Sequence, residues 1–195
     1  MAASASGDGV RLGPGLISLG TLAKRFDIAE LARPIMAQLA MDLGETIDLF
    51  VFNGNNAVVV DQIEGTHVLR AAHPIGSALH LHSSAAGKAW LAQLPSDVLE
   101  KIRSHMKLEK TTANTIVSWE RLERELSLIR KEGVAVDREE SRVGVCAVAT
   151  VIGETTGEMA ALSIPTPTER FLATEQKLRQ TLMEHCRVLQ QWLRH

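Results

Sequence analysis

Ile47-Asp48-Leu49-Phe50-Val51-Phe52-Asn53-Gly54-Asn55-Asn56-Ala57-Val58-Val59-Val60-Asp61-Gln62-Ile63 is the stretch on which the fold turns. Ile47, Leu49 and Val51 alternate with Asp48, Phe50 and Phe52. This is the period-two pattern of a strand, whose successive side chains face opposite sides of a sheet. Asn53-Gly54-Asn55-Asn56 supplies the residue types that tolerate a tight reversal, so a hairpin is expected there. The β-branched run Ala57 to Ile63 is the returning strand, and Glu64-Gly65-Thr66 turns again. Val68 to His73 reads as a third strand, stopped by Pro74 and Gly76. Three strands joined by short turns make an antiparallel meander, because parallel neighbours would need a long crossover.

Outward from this hairpin the period changes. Upstream, Leu16, Leu19, Leu22, Ala23 and Phe26 recur at helical spacing, and Leu31, Ile35, Leu39 and Leu43 repeat every four residues. Pro34 falls early in that second helix, where a missing N–H is tolerated, and Gly44 ends it. Downstream, one helix begins near Ser83 and carries Ala86, Ala89, Trp90 and Leu94; another follows Pro95 with Val98, Leu99 and Ile102. A third starts at Ser118 and runs through Leu122, Leu126 and Ile129 to Gly133. Strands return at Val134–Asp137, Val145–Ile152 and Met159–Ile164. A long amphipathic helix closes the chain, its stripe formed by Phe171, Leu178, Leu182, Cys186, Leu189 and Leu193. The order predicts an α+β fold: an antiparallel sheet of about six strands flanked by helices on both faces, without the βαβ alternation of a parallel sheet.

Composition narrows the function. The 195 residues are 45% hydrophobic and 23% charged with a net charge of −2, an ordinary globule without the basic face that grips phosphates. Aromatic residues are 4% of the chain and tyrosine is absent, so stacking platforms for single strands are not expected. No apolar run reaches the ~18 residues of a membrane span. Met1 to Asp8 carry no basic or hydrophobic region and are no signal peptide. Cys146 and Cys186 sit in no metal or redox spacing, and a reducing cytoplasm is the simplest compartment.

Four segments resemble one family, the IclR-type bacterial transcription regulators. Arg11-Leu12-Gly13-Pro14 with Leu16 and Leu19-Gly20 resembles the join between the family's winged helix and its sensor. Leu43-Gly44-Glu45-Thr46 resembles the start of its first sensor strand, and His82-Ser83-Ser84-Ala85-Ala86-Gly87-Lys88-Ala89 its H-A-T-A-x-G-K-A segment. Gly133 to Glu140 followed by Gly144-Val145 resembles its signature. Each is weak alone; four in order, covering roughly residues 10 to 193, are strong. The resemblance implies a GAF-like effector-binding domain, not an enzyme, that senses a small organic or aromatic acid, self-associates as a homodimer or homotetramer, and reaches DNA only through a winged-helix domain. It implies no cofactor and no membrane partner. The expected organisation is a disordered tail over 1–9, a remnant of the DNA-binding-domain linker and helix over 10–26, and the effector-binding domain over 27–195. Only ten residues precede Arg11, so most of the winged helix is expected to be missing. The chain departs from the family at His80, where a proline is usual, at Ala147, where a cysteine is frequent, and at Gly153-Glu154. Cys146 is one place off, and strand alternation turns it to the other face.

The first N–H groups of a helix lack intrahelical partners, and its dipole adds positive potential there. With Ser83 as N-cap, the amides of Ala85 and Ala86 would form a preformed anion site, unless the serines serve only to cap the helix. The resemblance adds Ala71, Leu79, Asp137, Ala147 and Ser163 around it. Ser163 can donate to a carboxylate. Asp137 would face the other end of the ligand or cap the following turn. His80 and His82 share a strand-like spacing compatible with zinc, but no third ligand is evident and metal binding is not expected. Asp137, Glu139 and Glu140 read as a solvated turn rather than acid–base machinery. Two other functions are open: a GAF-like redox enzyme using Cys146, which needs a lowered thiol pKa, and a purely structural dimerisation domain, which needs no convergent polar groups.

Overall fold

The computed structural model describes residues 28–153 and 159–192, together with two short strands nearer the N-terminus, β1 (Ala2–Ala3) and β2 (Val10–Arg11), which pair antiparallel. The expected helix over Leu16 to Phe26 and the turn at Gly157 lie outside the described residues.

Six strands build the main sheet: β3 (Ile47–Phe52), β4 (Asn56–Ile63), β5 (Ala78–His80), β6 (Ala135–Arg138), β7 (Val145–Ile152) and β8 (Ala160–Pro167). Their order is β5-β4-β3-β8-β7-β6, and every neighbouring pair is antiparallel. Two meanders therefore join edge to edge at β3 and β8. The helices are α1 (Ile28–Leu43), α2 (Ala85–Gln93), α3 (Ser96–Arg103), α4 (Trp119–Glu132) and α5 (Thr168–Trp192).

Strand alternation divides the interior into two cores. Ile47, Leu49, Val148, Leu162 and Ile164 point to one face, where Ile35, Met36 and Leu39 of α1 and Phe171, Leu178, Leu182 and Leu189 of α5 cover them. Phe50, Val59, Ala147, Ala149 and Ala161 point to the other, under Ala85, Ala86 and Ala89 of α2, Ile102 of α3, and Leu122, Leu126 and Ile129 of α4. Leu31, expected on the inner stripe of α1, is 46% exposed; the buried stripe is Ala32, Ile35, Met36, Leu39 and Ala40. Gly44 (φ +70°) and Gly133 (φ +75°) end α1 and α4 in the left-handed region, which a side chain would strain.

The third strand is not where sequence alternation puts it. Val68 to His73 is irregular, with Val68 fully exposed, and β5 comes later as three residues paired with Asn56–Val58. Pro74 and Gly76 delay the return: Ser77 N–H bonds the Pro74 carbonyl, and Gly76 N–H reaches back to Val59. Side chains take the place of a ladder in this segment. Arg170 donates to the exposed Leu69 carbonyl and Gln62 to the part-buried carbonyl of His73, so neither needs a strand partner.

Candidate functional site

Ser84, not Ser83, is the N-cap of α2. Its Oγ accepts the Gly87 amide at 3.1 Å and donates to the His80 carbonyl at 2.8 Å. Ala85 and Ala86 thus occupy N1 and N2, one place earlier than expected, and theirs are the amides left without helical partners once Gly87 is capped. Gly87 is where Leu81 passes: a Cβ there would lie 2.4 Å from Leu81 Cα and O. Only glycine lets the 80–84 segment fold back against the start of α2.

Beneath α2 the strand registers place a row of opposed residues on one face. Gln62 of β4 pairs with Asp48 of β3, Asp48 with Ser163 of β8, Ser163 with Ala149 of β7, and Ala149 with Ala135 of β6. Ala149 and Ala135 belong to the α2-side core, so Ser163 shares a face with Ala85 and Ala86. Ala147 lies on the same face of β7, and Cys146 on the opposite one, as alternation requires. Leu79, half-buried on β5, packs against this core, and Ala71 is buried in the irregular segment.

Asp48 and its partners were not legible as site residues. Asp48 is wholly buried; its Oδ2 lies 2.8 Å from His73 Nδ1 and its Oδ1 accepts from Gln62 Nε2 at 2.6 Å. Gln62 Nε2 donates again to the His73 carbonyl at 2.9 Å. The His73 ring meets Phe50 edge-on, centroids 6.1 Å apart. The available signal was parity: Asp48 alternates with Leu49 and shares its face with Phe50, so a core-facing aspartate needed a partner.

Asp137 is buried, and its carboxylate is occupied. Oδ1 accepts the Glu140 amide at 2.6 Å, and Oδ2 accepts Ser141 Oγ at 2.5 Å. Desolvation raises its pKa while these hydrogen bonds oppose the rise. The capping role is thus the one its contacts fill. The expectation of a solvated acidic turn is corrected for Asp137 and Glu140, which are 2% and 6% exposed. The reason is Lys88, fully buried on α2, whose Nζ lies 2.5 Å from Glu140 Oε1 and 3.4 Å from Glu125 Oε1. Burial pushes the Glu140 carboxyl up to about 7, with the Lys88 charge working against it, and Glu140 Oε2 has no hydrogen-bond partner among the described residues. The hydroxyls of Thr111 and Thr115 donate to the Glu140 carbonyl and that of Thr112 to the Glu139 carbonyl, clamping the β6–β7 turn.

His82 is a structural hydrogen-bonder, its Nε2 2.9 Å from the Glu109 carbonyl, and burial lowers its pKa. His80 is half-exposed, its ring 5.6 Å from that of His82. Among the described residues no three His, Cys, Asp or Glu groups are placed to hold a metal ion. Cys146 is buried with Thr168 Oγ1 at 3.6 Å, and desolvation raises its pKa while hydrogen bonds to Thr168 and the Glu139 backbone oppose the rise; Cys186, buried in the α5 stripe, is pushed up to about 12. Neither thiol has the lowered pKa that redox chemistry needs. In the native protein both are expected to react with a thiol reagent far more slowly than in denaturant; rapid native labelling of Cys146 would revive the redox reading.

Residues 20–190 match the family model described as bacterial transcriptional regulator IclR C-terminal. An HTH-type transcriptional regulator of Mycobacterium tuberculosis is 36% identical over 182 residues, covering 93% of this chain and 70% of the regulator. The HTH-type transcriptional repressor AllR of Escherichia coli is 37% identical over 146 residues, covering 74% of this chain and 54% of the repressor, so the chain spans about half of that relative. The crystal structure of Thermotoga maritima IclR superposes with a TM-score of 0.82 at 30% identity, covering 94% of this chain and 75% of that one. No helix among the described residues is long and apolar enough to cross a membrane.

Proposed function

This chain belongs to the IclR family of bacterial transcriptional regulators, as its C-terminal effector-binding domain, and from that premise we propose that it senses a small organic acid at the N-terminus of α2. The effector's carboxylate accepts from the amides of Ala85 and Ala86 and from the Ser163 hydroxyl, where the helix dipole favours negative charge. Ala71, Leu79 and Ala147 border the rest of the ligand, and Asp137 acts through the turn it caps. The observation that carries this reading is the shared face of Ser163 and the uncapped α2 amides, with the small side chains of Ala147, Ala149 and Ala161 beside them on β7 and β8. Binding is passed to a winged-helix domain that holds DNA; the chain itself, at a net charge of −2, binds DNA without sequence specificity or not at all.

A thermal-shift screen of small carboxylic and aromatic acids, followed by calorimetry on the hits, tests the site. Ser163→Ala removes one charge-assisted hydrogen bond and is expected to weaken binding roughly ten- to a hundredfold. Its melting temperature without ligand should change little, because Ala161 and Ala149 already show that the packing accepts alanine. Unchanged affinity in Ser163→Ala would remove Ser163 from the site. Self-association belongs to the same proposal: light scattering at micromolar concentration should give at least a dimer, and a clean 21.3 kDa monomer would refute it.

A further inference from the structure

We propose that His73, oriented by Asp48 and Gln62, reads a hydroxyl on the effector, so that the site selects short hydroxycarboxylates over acids without that group. The proposal rests on the reading that Ser163 and α2 hold the carboxylate.

Asp48 stands directly across from Ser163 on the neighbouring strand, where opposed side chains are about 5 Å apart. Alone it would repel an anion bound at Ser163. It is not alone: His73 Nδ1 and Gln62 Nε2 each take one of its oxygens, at 2.8 and 2.6 Å. A carboxylate accepts, so Nδ1 carries a proton and the ring's free position is Nε2. Nε2 has no partner among the described residues. Both Gln62 amide hydrogens are used, on Asp48 and on the His73 carbonyl, so the amide is fixed in this network.

The ring is about nine-tenths buried and held edge-on by Phe50, so this is a fixed, half-dry corner rather than a mobile surface histidine. In the neutral ring Nε2 accepts a hydrogen bond; in the imidazolium it donates one. A ligand amide N–H suits only the first state and a carbonyl only the second. A hydroxyl suits both, donating to the neutral ring and accepting from the imidazolium. A methyl in that place would leave Nε2 unpaired, and a second carboxylate would face Asp48. The short span from Ser163 to Asp48 limits the hydroxyl to carbons close to the carboxylate.

Calorimetry with matched pairs tests this: lactate against propionate, and 3-hydroxybutyrate against butyrate. The wild-type chain is expected to bind at least one hydroxy acid roughly tenfold or more tightly than its partner. His73→Phe should abolish the preference while the plain acid keeps its affinity within about twofold. Ser163→Ala should weaken both members of a pair alike. A wild-type chain with no preference, a His73→Phe chain that keeps it, or one that loses both acids equally would each overturn the proposal. If no acid binds and Ser163→Ala changes nothing, the carboxylate site itself has failed and this inference falls with it. Because His73→Phe strips a partner from buried Asp48, a second measurement uses the wild-type chain. The His73 Nε2 nitrogen resonance should move on adding the hydroxy acid and stay still with the plain acid; equal movement with both would count against a hydroxyl-reading role.

Discussion

Lys88→Met is expected to lower the unfolding free energy by roughly 3–5 kcal/mol at pH 8, the usual cost of removing one partner of a buried ion pair. Lys88 is 0% exposed and meets Glu140 at 2.5 Å, so the substitution strands a carboxylate in the interior. The loss should shrink at pH 5. Burial already raises the Glu140 carboxyl from 4.5 to about 7 in the folded chain. For an acid raised above its unfolded value, native and unfolded states both hold the proton below about 4.5, and the native state alone holds it up to about 7. Glu140 therefore costs stability progressively as pH rises through that window, and the full cost stands above it. Without the Lys88 charge its carboxyl moves higher still, so the variant is penalised at pH 8 while at pH 5 a neutral Glu140 needs no counter-ion. Adding Glu140→Gln to Lys88→Met should recover much of the loss at pH 8. Chemical denaturation at both pH values measures this; a loss under about 1 kcal/mol at pH 8, or an equal loss at both, would show that the pair is not a buried charge couple. The effect reaches the site because Lys88 ties α2 to the β6–β7 turn that Asp137 caps.

Gly87→Ala should have an effect of the same order and of a sign that helix propensity gets wrong. Alanine in a helix is ordinarily worth about 1 kcal/mol over glycine. Here the added methyl would sit 2.4 Å from both Cα and O of Leu81, and 2.7 Å from its carbonyl carbon. Those are backbone atoms and cannot turn aside as a flexible side chain would. Either α2 lifts from the sheet or the 80–84 segment unwinds, breaking the Ser84 cap and its bond to the His80 carbonyl. A loss of about 3 kcal/mol or more is expected, in the upper range of overpacking. The displaced Ala85 and Ala86 amides should also lose the effector. A melting temperature equal to or above wild type would mean that Leu81 does not lie against Gly87. Ser77→Ala, in the half-buried turn before β5, serves as a control away from α2 and should change stability by less than about 0.5 kcal/mol.

Much of the frame was legible because it depends on local periodicity. The alternation in Ile47–Phe52 and the apolar run Val145–Ile152 marked strands β3 and β7, and parity put Ala147 and Cys146 on opposite faces, as the two cores show. Ser118 and Gly133 bracket α4 because capping chemistry is written in the residues themselves. Ser84 took the cap instead of Ser83 because either serine can serve, and the choice fell to the one whose Oγ also reaches the His80 carbonyl. Val68–His73 looked like a strand by composition, yet strand pairing needs a free neighbouring edge in register, and the Pro74–Gly76 turn supplied that register only from Ala78.

The chemistry of the site divides in the same way. The sequence by itself determined the α+β order, the two faces of β3 and β7, and the N-terminus of α2 as a place of unpaired amides, since these follow from spacings of a few residues. Only the tertiary structure decided that Asp48 meets His73 across 25 positions, that Lys88 meets Glu140 across 52, and that Asp137 spends its oxygens on its own turn. A charged side chain carries no mark of its partner in a linear pattern. Whether it stands in water or in the core depends on which distant group the fold brings within about 3 Å to offset its desolvation, and that is settled only when the strands have found their register and the helices have closed over them.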